Sequence, residues 1–239
     1  MLNRTDKRAV LLGALLMLAL GYVAPTAAGD AAAGGAAAGV GVGVEPAELV
    51  QQTTEQMLAL IEEAQSYAKE DPERFYIAVE ALLSPVVDFT RFARSVMAAH
   101  YKTASAEQRE RFAESFKWNL VRTYAFALTE FSEGEVALIV PDKPPRKPNR
   151  RSIKQEIRLG GGNTYTVIYS MGRANDQEAW RMRNIIVEGV NMGITYRSQF
   201  KSAMQDPKLG GDIDKVIDAW SDVIDTESAD EEDAAVKSS

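Results

Sequence analysis

The spacing of apolar residues changes from helical to strand-like once along this chain, then returns to helical. Leu49, Thr53, Met57, Leu60, Ala64 and Ala68 share one helix face behind Glu45-Pro46, where proline suits a first turn. Asp71-Pro72-Glu73 restarts the pattern as cap, proline and acidic first turn. Phe75, Val79 and Leu82 form its stripe until Ser84-Pro85. Asp88 caps a third helix with Phe89, Phe92, Val96 and Ala99 on one side. Ser105 and Gln108 have the spacing of a capping box, and the helix they open runs without a breaker to about Phe131. That helix is about 39 Å long and apolar over a wide arc: Phe112, Phe116, Leu120, Tyr124 and Phe131 lie on one edge, with Trp118, Val121, Ala125 and Leu128 beside it. Such an arc needs cover on two sides, either protein on both or protein on one and a ligand on the other.

The period then drops to two. Val136–Val140, Ser152–Leu159, Thr164–Met171 and a stretch opening at Trp180 read as four strands, joined by glycine- and proline-rich connectors that suit an antiparallel meander. Tyr165, Val167, Tyr169 and Met171 share a face of the third strand, and Trp180, Met182 and Ile186 a face of the fourth. These faces and the long helix make either an ordinary core or the wall of an apolar pocket. Gly189 breaks the fourth strand, a helix follows through Gln205, and Ile213, Val216, Ile217 and Trp220 mark a last amphipathic helix. The expected fold is α+β: N-terminal helices, a four-stranded antiparallel meander sheet and C-terminal helices.

The two ends look unlike this body. Arg4, Lys7 and Arg8 precede an apolar run from Ala9 to about Ala24 and then small residues, so 1–28 reads as an export signal that is removed. Residues 29–44 read as an Ala/Gly-rich flexible linker, 45–224 as the folded domain, and 225–239 as an acidic disordered tail. The net charge is −7 over 239 residues, but the tail carries most of it, so the domain is nearly neutral. A surface of that kind has no electrostatic means of holding nucleic acid.

The chemical inventory is thin. With no cysteine, disulfides, thiolate metal sites and a lipoprotein anchor are excluded. The one histidine, His100, lies at a helix end, where a cap or surface role suits it better than catalysis. Gly160–Gly162 lacks the lysine and following helix of a phosphate loop. Asp88 reads as a cap, and Glu188 as a structural partner of Arg183 or Arg197. Two carboxylates paired in space are invisible to sequence, so an acid/base site stays open at this level. The expected reading is nonetheless not an enzyme, with no catalytic, metal or cofactor residues. The connector PDKPPRKPNRR, with four prolines among five basic residues, is either a solvated spacer or a contact for a headgroup or acidic partner.

Three segments carry a family resemblance. VDFTRFARSVMAAHYKTASAEQRERFAESFKWNLVRTYA, ending at Ala125, WRMRNIIVEGVNM (180–192) and YRSQF (196–200) are similar to the central segment, fourth strand and following helix of the MlaC or toluene-tolerance family. The resemblance covers nearly all of residues 45–222, departing at Asn184, where the family often has aspartate, and at Asn191, where serine is common. It implies a soluble periplasmic phospholipid carrier that shuttles glycerophospholipids and maintains outer-membrane lipid asymmetry. The implied partners are an outer-membrane lipoprotein–porin complex and an inner-membrane ABC transporter with a periplasmic lipid-binding domain. It also lays the inner faces of the third helix, the long helix and strands three and four against the acyl chains, so the lipid-binding residues expected are Val96, Phe116, Leu120, Tyr124, Tyr165, Val167, Tyr169, Met182 and Ile186. The bound phospholipid is then cargo. The alternatives are a periplasmic enzyme on a nuclear-transport-factor-like α+β scaffold and a chaperone or scaffold without a cavity.

Overall fold

The computed structural model describes residues 43–129, 134–139, 147–159 and 164–221. The segment read as an export signal, nearly all of the one read as a linker, the one read as a disordered tail and most of the proline-rich connector lie outside them. Five helices lead the described residues: α1 (Pro46–Ala64), α2 (Pro72–Leu83), α3 (Phe89–Met97), the short α4 (His100–Thr103) and α5 (Ala106–Thr129). Their starts are set by the expected caps. Asp71 accepts from the Arg74 amide and Asp88 from the Arg91 amide. In the capping box the Gln108 amide donates to Ser105 Oγ at 3.0 Å and the Ser105 amide to Gln108 Oε1 at 2.9 Å.

Strands β1 (Gly134–Ile139), β2 (Arg150–Leu159), β3 (Thr164–Gly172), β4 (Arg181–Val187) and β5 (Val190–Asn191) form one antiparallel sheet in chain order. The expected meander is therefore present, with a fifth, two-residue strand added. β5 exists because Glu188 and Gly189 both take positive φ, 48° and 78°, which turns β4 back on itself so that Val187 pairs with Val190. Glu188 is thus a turn residue, and its carboxylate accepts from the Thr166 amide. The arginines expected to hold it are engaged elsewhere, Arg183 beside Asp88 at 3.6 Å and Arg197 on Ser95.

β4 carries an irregularity that sequence alternation does not reveal. Ser170 pairs with Asn184 but Met171 pairs with Met182, so Arg183 is an extra residue, a β-bulge. Its side chain lies across Gly172, where a Cβ would stand 2.5 Å from Nη1, so any larger residue would push the guanidinium aside. Beyond the bulge the strand's parity is inverted: Met182, Ile185 and Val187 are buried and Ile186 is half-buried, paired with Ile168 on the other face. Ile186 therefore does not share a face with Met182 as strict alternation requires.

Two helices close the described residues, α6 (Met192–Gln205) and α7 over 213–221. Asn191 caps α6 by accepting from the Ile194 amide, while Asn184 accepts from the Gly193 amide and donates to Asn191 Oδ1. The two positions that depart from the family pattern together fix the strand-to-helix junction. An aromatic cluster of Phe92, Phe112, Phe116, Tyr196, Phe200 and Trp220 joins α3, α5, α6 and α7, with neighbouring ring centroids 4.9–6.5 Å apart.

Candidate functional site

The wide apolar arc of α5 is covered in two different ways. Its first half, Phe112 and Phe116, is buried in the aromatic cluster. Its second half, Leu120, Val121, Tyr124 and Ala125, faces a cavity between helices and sheet. α1 contributes Met57, α2 Val79 and Leu83, and the start of α3 Phe89 and Phe92. Met182, Ile185 and Val187 of β4 close one side, and Met192 and Tyr196 of α6 another. Val87 joins because the Met182 amide donates to the Val86 carbonyl and the Asp88 amide to the Met182 carbonyl, both at 2.8 Å, tying the α3 entrance to the edge of β4. About 710 Å³ lies between the wall atoms when the part continuous with solvent is counted, and about 70 Å³ admits the centre of a water molecule, so the space is narrow as it stands.

Among these lining side chains, only Tyr124 and Tyr196 carry nitrogen or oxygen. Their hydroxyls meet at 2.5 Å and satisfy each other. Burial pushes the Tyr124 phenol up to about 12, partly offset by its hydrogen bond with Tyr196; burial and the neighbouring Tyr124 also hold Tyr196 well above the usual phenol value. Neither hydroxyl is an acid or base at neutral pH, and an apolar guest meets no stranded polar group.

The contact between α2 and α5 outside the cavity is ionic. Lys117 Nζ lies 2.8 Å from both Glu80 and Glu114, and Arg122 lies 3.1 Å from Glu73. Desolvation alone would raise Glu80, but hydrogen bonds from Lys117 and Ser84 and the Lys117 charge outweigh it, so its carboxyl lies below the usual value. Desolvation alone would lower Lys117, and its two carboxylate partners outweigh that in the opposite direction.

Of the nine expected residues, Leu120, Tyr124 and Met182 line this cavity. Tyr169 lines a smaller neighbouring space together with Met182. Val96, Phe116 and Val167 are fully packed in the core. Tyr165 packs against the core's margin, and Ile186 sits on the opposite face of the sheet beyond the bulge. The sequence reading missed Met57, Phe92 and Tyr196, whose helical spacing is that of any core stripe, and Ile185 and Val187, which only the bulge turns inward. His100 lies 5.9 Å from the Phe200 ring, outside the cavity. Among the described residues no cluster of acidic or histidine side chains has the arrangement of a metal site, and no helix is long and apolar enough to cross a membrane.

The sequence model of the family described as MlaC protein matches residues 51–222, which spans the helices and the sheet that enclose this cavity. The chain belongs to the MlaC family. It is 34% identical over 176 residues to the toluene tolerance protein ttg2D of Pseudomonas putida, covering 73% of this chain and 79% of that protein. It is 30% identical over 148 residues to the intermembrane phospholipid transport system binding protein MlaC of Haemophilus influenzae, covering 62% and 69%. The fold is similar to that of a phospholipid-binding protein from Ralstonia solanacearum, solved in complex with a phospholipid. The TM-score is 0.65 at 21% identity, over 78% of this chain and 99% of that one. MlaC membership brings the α+β architecture expected from the sequence, and the cavity is a feature of this chain's own side chains.

Proposed function

We propose that this chain is a periplasmic phospholipid carrier that is not an enzyme, and that the cavity between α1, α2, α3, α5, α6 and β4 holds acyl chains. The observation that carries the reading is a space whose wall is apolar apart from two tyrosines that satisfy each other. Leu120, Tyr124 and Met182, joined by Phe92, Ile185 and Met192, are the proposed contacts. The Haemophilus relative, a phospholipid transport system binding protein, and the Ralstonia protein, solved in complex with a phospholipid, support the same ligand class. Two acyl chains hold about 30 methylenes, and exposing them to water costs roughly 25 kcal/mol at about 0.8 kcal/mol each. Free diffusion across an aqueous compartment is therefore negligible, and a dry cavity removes most of that barrier. The nearly neutral domain gains little from approaching an anionic bilayer directly, so exchange belongs at partner proteins. These are an outer-membrane lipoprotein–porin complex and an inner-membrane ABC transporter with a periplasmic lipid-binding domain, and the outcome is maintained outer-membrane lipid asymmetry.

Organic extraction of the purified mature chain followed by mass spectrometry tests the reading. The expected result is glycerophospholipid close to stoichiometric with protein. Protein that stays lipid-free after export from lipid-rich cells, and takes up none from vesicles, overturns it.

A further inference from the structure

A second space adjoins the main cavity. It is lined by Val50, Thr53, Thr54, Val86 and Tyr169 and shares Met57, Leu83 and Met182 with its larger neighbour. About 340 Å³ lies between its wall atoms, with the solvent-continuous part included, but only about 20 Å³ admits the centre of a water molecule, roughly one water's worth. The three shared side chains therefore separate the two spaces, and two of them are methionines, unbranched and able to change rotamer at small cost.

The far end is built in the opposite way. The Tyr169 hydroxyl donates to Gln155 Oε1 at 2.8 Å, Gln155 Nε2 donates to Thr54 Oγ1 at 3.0 Å, and the Thr54 hydroxyl donates to the Val50 carbonyl at 2.8 Å. Gln155 is 1% exposed, and this chain of bonds ties α1 to β2 and β3. Moving any member breaks a buried hydrogen bond, so the end wall is fixed where the partition is mobile.

Resting on the phospholipid reading above, we propose that the space behind Met57 and Met182 is an acyl-terminus subsite. It receives the last carbons of the longer chains the protein accepts, with the two methionines as a movable partition and the Thr54–Gln155–Tyr169 chain as a fixed stop. The main cavity then holds the body of the chains whatever their length, and the subsite sets the upper limit. Each methylene denied a buried place weakens binding about fourfold, so loss of a subsite of that size costs a long chain about fourfold relative to a short one.

Val50 borders only the second space, which makes it the position to change. The experiment is native mass spectrometry of the mature chain loaded from an equimolar mixture of phosphatidylglycerols bearing two 14-carbon or two 18-carbon chains. Val50→Phe fills the subsite and is expected to lower the 18-to-14 ratio at least about fourfold; Val50→Ala enlarges it and is expected to raise the ratio, which keeps the test open should the phenylalanine variant fail to fold. Leu120→Trp narrows the main cavity and is expected to lower both lipids together. Wild-type ratios in the folded Val50 variants, with both lipids bound, overturn the subsite and leave the carrier intact. A wild-type chain that takes up neither lipid overturns the carrier reading and this one with it.

Discussion

The hydroxyls of Tyr124 on α5 and Tyr196 on α6 meet at 2.5 Å inside an otherwise apolar cavity. One donates and the other accepts, so neither depends on water. Replacing either tyrosine by phenylalanine strands the remaining hydroxyl and is expected to cost about 1–3 kcal/mol in urea unfolding. The double variant should recover part of that loss, because nothing is left unpaired. Strictly additive losses would show that the two hydroxyls act independently.

The same pair makes stability sensitive to alkali. Both phenols are raised in the folded protein, Tyr124 to about 12. As pH rises past about 10, the unfolded chain loses its phenolic protons first and binds fewer than the folded one, so the slope of unfolding free energy against pH is negative. The contribution is complete below pH 10 and is lost as pH rises through the folded values. Lys117, also raised, acts in the same direction. Glu80, lowered, stabilises above its unfolded value and loses that contribution as pH falls through the folded one. Chemical unfolding followed from pH 9 to 12 should show the alkaline decline, and the double phenylalanine variant a shallower one.

Neighbouring isoleucines should respond differently. Ile185 faces the cavity and Ile186, paired with Ile168, the other side of the sheet. Ile185→Thr places a hydroxyl against apolar walls at an expected cost of about 1–3 kcal/mol, whereas Ile186→Thr should cost less than about 1 kcal/mol. Thermal melts compare them directly; a larger loss at 186 would mean that the bulge at Arg183 is not where the register places it.

Leu120 separates a filled core from a pocket. In a packed interior Leu120→Trp is expected to cost about 1–3 kcal/mol through overpacking. Where the neighbour is empty space or a flexible acyl chain, stability should stay within about 1 kcal/mol of wild type while bound lipid falls. Parallel thermal melts and native mass spectrometry read both quantities, and full lipid occupancy in a folded variant would place the lipid elsewhere.

Much of this molecule is written locally. The caps at Asp71, Asp88 and Ser105, the helical stripes and the order of the four longer strands depend on residues within a turn or a strand of one another, and the sequence alone determined them. The family was legible for the same reason, since its motifs are continuous. Whether the broad arc of α5 met protein or open space was not legible, because Phe116 and Leu120 are equally apolar and only the packing of α3, α6 and α7 buries one and leaves the other on a cavity. Nor was the inward face of β4: alternation assigns Ile186 to the interior until one extra residue, accommodated by Gly172 a strand away, inverts the parity. The pairing of Tyr124 with Tyr196 spans 72 positions. Contacts of that separation are fixed by how elements pack, and tertiary structure alone decided them.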